Sequence, residues 1–171
     1  MEQDLSPEIL DFREDQLIRF LKEACERVKR RGKRVTVCLV PYEGERAKAL
    51  GILDWDKVAS LPIDFLSTDP YWIHFGEEME GFVRKWTEKV LNLSLKYGRK
   101  AQIWVQLFRV PSGREEEIRK GIQFISSLEV DGKRVDSLFG WPYLSGEGTE
   151  LASGKPEKVW EVFTKTLSSA K

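Results

Sequence analysis

Runs of β-branched and apolar residues alternate with long helical patterns along this chain, and that alternation constrains the fold more than any other feature. Four runs predict strands, at 35–40, 63–67, 101–108 and 137–141. Apolar residues at helical spacing predict helices at about 13–31 and 79–97, and over 118–128 and 159–167. Strands that are joined by long crossover helices form a parallel sheet, so the sequence predicts an α/β fold.

Residues at the ends of the helical patterns fit helix termini. Gly32 and Gly98 each follow such a pattern and suit the left-handed conformation that ends a helix. Ser112 and Glu115 have the spacing of a capping box. Pro156 suits the first turn of the last helix.

The length of 171 residues limits the architecture. A complete (β/α)8 barrel takes about 250 residues, so we expect one α/β domain over 1–171, with a leading helix and four βα units over about 34–168. Two architectures fit, a (β/α)4 half-barrel and a small open doubly wound sheet. A half-barrel would pair with a second copy, as a homo-oligomer, or belong to a longer chain. No internal repeat is recognisable in the sequence, and no linker divides it.

Basic and acidic residues are equal in number, 28 of each, so the chain has no net charge. A neutral chain lacks the long-range field that attracts nucleic acid or an anionic membrane, and we expect neither partner. The basic run 29–34 falls where the first helix ends, and cations there complement the helix dipole. No apolar stretch is long enough to span a membrane.

Three features predict a cytoplasmic protein of thermophilic type. Residues 1–4 are acidic and lack the basic and apolar segments of a signal peptide. Cys25 and Cys38 fall on a predicted helix and a predicted strand, where buried free thiols are expected. A charged fraction of 33% with a single asparagine is typical of thermophilic proteins.

Large aromatic residues concentrate where the predicted strands end. In parallel α/β folds the carboxyl ends of the strands meet at one edge, and ligands bind there. Polar side chains lie among the aromatics, so this edge offers both stacking surfaces and hydrogen-bonding groups. The residues are Tyr42 and Glu43 after the first strand; Asp69, Tyr71, Trp72 and His74 after the second; Trp104, Gln106 and Arg109 at the third; and Trp141 and Tyr143 at the fourth.

This combination of aromatic rings and carboxylates fits carbohydrate. A sugar offers apolar C–H faces for stacking and a rim of hydroxyls for hydrogen bonds. Hydrolysis of a glycoside also needs two carboxyl groups, about 5–5.5 Å apart for retention or about 6.5–9.5 Å apart for inversion. Glu43 and Asp69 end strands that we expect to be neighbours, about 4.8 Å apart, so the spacing permits this chemistry.

Four of these residues have an equally good structural interpretation. Trp104 and Trp141 fit a hydrophobic core as well as a binding surface. Asp69 precedes a proline and suits the start of a turn. Glu43 fits a solvated charge on a loop.

For three other candidate residues, the neighbouring sequence favours either a ligand-binding role or a structural one. Tyr71 and Trp72 follow a proline in a predicted loop, where exposed aromatics favour a binding role. Arg109 fits an anionic ligand, but the acidic residues at 115–117 are more favourable partners for it.

Other chemistries find little support. No G-x-G-x-x-G follows a strand, and the stretch 148–155 differs from a phosphate loop because Pro156 replaces the Ser or Thr that would hold magnesium. His74 is the one histidine, so a zinc site lacks ligands. We therefore expect no metal and no cofactor.

Four segments resemble the later strands of glycoside-hydrolase-type (β/α) barrels. In those barrels, Trp and Tyr at strand ends line the sugar site, and carboxylates at strand ends catalyse the reaction. The resemblance covers about 34–167 as half of a barrel, and it implies catalytic roles for Glu43 and Asp69 alone, because a lone half lacks whatever the first strands supply. The segments are 37–43 (VCLVPYE), 67–72 (STDPYW), 104–111 (WVQLFRVP) and 139–143 (FGWPY).

The first function that this suggests is a glycosidase-like hydrolase. Asp69 is then the general acid, with a pKa that the surrounding aromatics raise, and Glu43 is the nucleophile or base. Gln106 and Arg109 bind hydroxyls or a substrate carboxylate. The stacking platform consists of Tyr71, Trp72, Trp104, Trp141 and Tyr143, and Tyr42 and His74 also line the site.

The second function is a non-catalytic module that binds carbohydrate, another small polar ligand or a protein partner. Large aromatics and arginine are enriched at such contacts. A doubly wound domain that binds a nucleotide is disfavoured, because the glycine-rich turn is missing.

Overall fold

A computed structural model describes residues 6–169 of the chain, in which helices alternate with the strands of a parallel sheet. Residues 1–4, which carry the expectation about a signal peptide, lie outside the described residues. The helices are α1 (Pro7–Arg30), α2 (Glu45–Ala49), α3 (Trp55–Ser60), α4 (Trp72–Phe75), α5 (Met79–Tyr97), α6 (Glu115–Ser127) and α7 (Pro156–Ser169). The strands are β1 (Thr36–Leu39), β2 (Phe65–Thr68), β3 (Lys100–Gln106), β4 (Glu129–Val130), β5 (Lys133–Arg134) and β6 (Ser137–Trp141).

The four predicted strands form one parallel sheet in the order β1-β2-β3-β6, which confirms the predicted α/β class. The short strands β4 and β5 form a separate antiparallel hairpin that the sequence did not predict. Within 6–169, no helix is both long and apolar enough to cross a membrane.

Helices cover one face of the sheet. Leu66, Ile103 and Val105 point to that face and are fully buried against the helices. On the opposite face Cys38 is exposed and 47% of Phe139 is exposed. A doubly wound sheet carries helices on both faces, so the fold is consistent with a partial barrel and not with the doubly wound alternative.

The uncovered face is concave, and it is called the concave face below. Gln102 in β3 accepts a hydrogen bond from Thr36 Oγ1 in β1, two strands away, at 3.4 Å. Its amide nitrogen donates to Ser137 in β6 at 3.1 Å, and its oxygen also accepts from Trp104 Nε1 at 3.1 Å. The short distance from Gln102 to Thr36, two strands away, fits a curved sheet such as the wall of a barrel.

Two successive parts of the chain resemble each other in element order, and they are called the two repeats below. The elements α1-β1-α3-β2 correspond in order to α5-β3-α6-β6. Gly32 and Gly98 follow the first helix of each repeat in the same left-handed conformation, with φ of 68° and 63°. Two basic residues follow each glycine, and a strand begins at the second of them or two residues after it.

The second strands of the two repeats match in sequence and in hydrogen bonding. Residues 63–71 (IDFLSTDPY) align with residues 135–143 (VDSLFGWPY). Asp64 accepts a hydrogen bond from the backbone N–H of Val35 at 2.8 Å. Asp136, its equivalent, accepts from the backbone N–H of Ala101 at the same distance. Each aspartate therefore fixes the start of its strand to the preceding strand of the same repeat.

Two local predictions are wrong. Ser112 does not cap α6, which begins at Glu115 after Arg114, and the Glu115 carboxylate accepts from the N–H of Gly113 instead. The turn at Gly113, with φ of 91°, places Ser112 outside the helix. Cys25 is a buried free thiol as expected, but Cys38 is exposed because it points to the concave face of an edge strand.

Candidate functional site

Aromatic side chains form a continuous arc along the carboxyl ends of the strands. The rings follow one another from the end of β1 to the end of β6, in edge-to-face and tilted contacts. Sequence reasoning missed two members, Phe75 and Phe108, although each stands beside a residue that it selected. This aromatic arc consists of Tyr42, Phe75, His74, Phe108, Tyr71 and Trp141, with neighbouring ring centroids 5.2–5.9 Å apart.

The members of the aromatic arc differ in exposure. Trp141 is 39% exposed, His74 is exposed and Tyr42 is half-buried. Tyr71 and Phe108 are almost fully buried beneath them. The arc therefore has a buried aromatic base and an accessible rim that extends across the sheet edge.

Asp69 is a half-buried carboxyl group that directly follows β2, next to the aromatic arc. Burial raises the pKa of Asp69 to about 6. Its Oδ1 atom is buried and has no hydrogen-bond partner among residues 6–169. An apolar environment stabilises the protonated form of a carboxyl group, so this group holds a proton at a higher pH than an ordinary aspartate.

Glu43 has the opposite environment. Its two carboxylate oxygens accept hydrogen bonds from Lys85 and Lys89 on α5, at 2.6 Å and 2.7 Å. These hydrogen bonds lower the pKa of Glu43 to about 2. The Nζ atom of Lys89 also lies over the rings of Trp55 and Trp86, at 5.1 Å and 5.4 Å from their centroids. The ion pairs hold the loop after β1 against α5.

Glu43 lines a groove of about 820 Å³ between this loop and α5. Asp69 does not line that groove, whereas Tyr42 does. Tyr42 also contacts Phe75 of the aromatic arc. Glu43 therefore lies in a groove that Asp69 does not line.

Three residues predicted to bind substrate are buried: Tyr71 at the base of the arc, Gln106 and Trp72. Gln106 is fully buried, accepts a hydrogen bond from the His74 backbone N–H at 3.0 Å and donates to the Phe108 carbonyl at 2.8 Å. It therefore positions the aromatic arc from below. Trp72 is 1% exposed, because residues 72–75 form α4 and turn its indole into the core against Gly121. The expectation that Tyr71 and Trp72 are exposed aromatics is wrong for both, because Tyr71 is only 8% exposed.

The remaining residues that the sequence predicted for the site are not members of the aromatic arc. Trp104 is half-buried on the concave face and stacks on Phe139 at 5.6 Å. Tyr143 is 75% exposed and touches Trp160 of α7 edge-on. Arg109 is exposed and donates to the Glu150 carbonyl at 3.4 Å, while Arg114 takes the predicted ion pair with the acidic start of α6.

Metal ligands are scarce in the described part of the chain. Residues 6–169 contain no group of three or more His, Cys, Asp or Glu side chains that could hold a metal ion. His74 instead packs between Phe75 and Phe108 as a member of the aromatic arc.

Comparisons with known proteins support the fold. No family model and no curated protein matches this chain. The structure is similar to the X-ray structure of the endo-β-1,4-mannanase from Thermotoga petrophila, with a TM-score of 0.59 and 17% sequence identity. The similarity covers 92% of this chain and 41% of that chain, so the chain spans less than half of the length of the enzyme. Such a distant similarity shows a fold shared with part of a glycoside hydrolase.

Proposed function

We propose that the aromatic arc binds carbohydrate and that Asp69 is the general acid of a glycosidase-like hydrolysis. One observation carries the proposal: a carboxyl group with a pKa of about 6 and a buried, unpartnered oxygen lies at the strand ends beside the arc. A carboxyl group that is still partly protonated near neutral pH can protonate the oxygen of a leaving sugar. The shared fold with part of a mannanase is consistent with this chemistry.

Glu43 is the proposed ionised partner. Environments that move two carboxyl pKa values apart are typical of acid and base pairs, and here the values are about 6 for Asp69 and about 2 for Glu43. The low pKa keeps Glu43 charged, as a nucleophile or base requires.

The accessible rings of the arc are the proposed stacking surface. Trp141, His74 and Tyr42 present aromatic faces and edges along the strand ends. Arg109, exposed beside the rim, is the proposed donor to sugar hydroxyls. A bound sugar chain would then lie along the carboxyl ends of the strands, from Tyr42 after β1 to Trp141 at the end of β6.

Turnover of a panel of aryl-glycosides by Asp69→Asn and Glu43→Gln tests the catalytic part. Loss of a positioned acid or base lowers rates by about 10²–10⁴-fold, so we expect each variant to lose turnover and keep ligand binding. Asp131→Asn, at an exposed hairpin turn, is the matched control. Wild-type turnover in both Asp69→Asn and Glu43→Gln would exclude the mechanism.

A non-catalytic carbohydrate-binding module is the second candidate. The observation that favours it is that Lys85 and Lys89 already occupy both oxygens of Glu43. Trp141→Ala should then weaken oligosaccharide binding, measured by calorimetry, while no glycoside is hydrolysed. Leu50→Ala, at the 58% exposed Leu50 that follows α2, should leave binding unchanged. Hydrolysis by the wild-type chain would exclude this candidate.

A further inference from the structure

Both outer strands of the sheet have a free edge. Within residues 6–169, β1 pairs with β2 alone and β6 pairs with β3 alone. Unpaired backbone groups at a sheet edge favour pairing with a further strand. Apolar side chains next to these edges are also exposed, with Val40 at 41% and Phe139 at 47%.

We propose that a second copy of this chain pairs with these edges, so that two chains close one eight-stranded barrel. The internal repeat supplies the reason. The last strand of the first repeat, β2, pairs in parallel with the first strand of the second repeat, β3. β6 is the equivalent of β2, and β1 is the equivalent of β3. The β6 edge of one copy therefore matches the β1 edge of the other.

The repeat also fixes the register of the new pair. Ser67 in β2 lies opposite Gln102 in β3, and both side chains point to the concave face. Their equivalents in the repeat are Phe139 and Thr36. Phe139 of one copy therefore lies opposite Thr36 of the second copy, and the apolar Phe139 ring points into the closed barrel.

The second copy contributes a residue to the aromatic arc. The identity of the ligand at the arc rests on the proposed function, whereas the pairing of the two chains does not. Tyr71 and Phe108 are in edge-to-face contact at 5.2 Å. Their equivalents in the repeat are Tyr143 and Tyr42. Tyr143 is 75% exposed in one chain, so its ring is accessible to a second copy. Closure brings Tyr42 of the second copy to Tyr143 and joins the two arcs.

Two helices meet at each new junction. α7 follows β6 as α5 follows β2, and α1 precedes β1 as α5 precedes β3. The repeat assigns both α7 of one copy and α1 of the other to the place that α5 takes at the β2–β3 junction, so closure requires the two helices to shift and pack beside each other there. α1 exposes Ile9, Phe12 and Phe20, at 46%, 63% and 67%, and these side chains supply an apolar contact surface.

Closure limits the assembly to two chains. A two-fold axis along the barrel makes the two junctions identical, so no edge remains for a third copy. Eight strands are also the number at which inward side chains fill a barrel. Residues 6–169 of a single chain supply four of them.

Disulfide trapping tests the register. Neighbouring strands lie about 4.8 Å apart, within the Cα separation of about 4.4–6.8 Å that a disulfide needs. Thr36→Cys with Phe139→Cys, in a Cys38→Ser background, should give a covalent dimer with twice the mass of one chain under mild oxidation. Thr36→Cys with Ser137→Cys, two residues out of register, is the matched control and should stay uncrosslinked. The wild-type chain should sediment as a dimer.

Several results would overturn the proposal. If the wild-type chain sediments as a monomer at all concentrations, no second copy covers the edges of β1 and β6. This measurement does not depend on whether the cysteine variants fold. Higher oligomers would exclude closure, and equal crosslinking of both cysteine pairs would exclude the register. None of these measurements depends on carbohydrate, so a failure of the proposed function leaves the dimer test intact.

Discussion

At the scale of single residues, burial decides which polar groups remain available for chemistry. Asp69 and Glu43 both follow strands, and the sequence selected both for that reason. Their environments differ because burial removes Asp69 from solvent, whereas Glu43 reaches two lysines on a distant helix. Trp72 was predicted to be exposed, but a short helix turns its ring inward. Position relative to a strand end can be predicted from sequence, but the direction of a side chain in the following loop cannot.

The raised pKa of Asp69 predicts a pH-dependent cost to stability. Between its ordinary value of 3.8 and about 6, the unfolded chain ionises this carboxyl group while the folded chain keeps its proton. The folded state then binds more protons, so the free energy of unfolding falls as pH rises through this window. Asp69→Asn removes the effect, and its stability relative to wild type should rise by about 1–3 kcal/mol across the window.

Urea unfolding at pH values below and above the window, at one protein concentration, measures this change. Asp131→Asn is the control, because Asp131 is exposed and its positive φ of 47° suits asparagine equally well. If both variants show the same pH dependence as wild type, burial does not raise the pKa of Asp69.

At the scale of secondary-structure elements, the spacing of apolar residues predicted helices and strands better than capping patterns predicted where helices begin. All four sheet strands and the long helices α1, α5, α6 and α7 lie where apolar spacing predicted them. The capping pattern at Ser112 failed, since a left-handed glycine turn intervenes before α6. α4 and the β4–β5 hairpin were missed because two to four residues are too few to show a period.

Close packing between two helices predicts the effect of one added methyl group. Gly121 in α6 lies against Trp72, and a Cβ atom there would be 2.6 Å from the indole. Gly121→Ala gains about 0.5–1 kcal/mol of helix propensity, but overpacking of a rigid buried ring costs about 1–3 kcal/mol. We expect a net loss of stability in urea unfolding.

Gly81→Ala in α5 separates the two effects. A Cβ atom at Gly81 would be 3.2 Å from the Glu78 carboxylate, which caps α5, and a shift of that terminal group by a few tenths of an ångström relieves the contact. This variant should keep or raise stability. A stable Gly121→Ala would show that Trp72 has room to shift.

At the scale of the whole molecule, the half-barrel was predictable and the repeat within it was not. Chain length and the alternation of strands with helices restricted the fold to a partial barrel or a doubly wound sheet, and the uncovered concave face decides between them. The repeat is difficult to recognise in the sequence because its two halves share few residues. The β4–β5 hairpin also lengthens the second half before its last strand, β6. The carboxylates of Asp64 and Asp136 accept the same kind of backbone hydrogen bond, and this shared contact shows that the two positions are equivalent.

The repeat predicts equal roles for these two aspartates. Each carboxylate accepts one backbone N–H of the preceding strand, and each also pairs with a lysine, Lys29 at 2.8 Å for Asp64 and Lys133 at 3.2 Å for Asp136. Alanine at either position leaves a strand N–H without its charged acceptor, which costs about 1–3 kcal/mol. The two sites lie in different repeats and share no partner, so Asp64→Ala and Asp136→Ala should add to within about 0.5 kcal/mol in the double variant. Urea unfolding at a fixed chain concentration measures all three. A loss confined to one aspartate would mean that the two repeats share geometry without sharing the interaction that stabilises it.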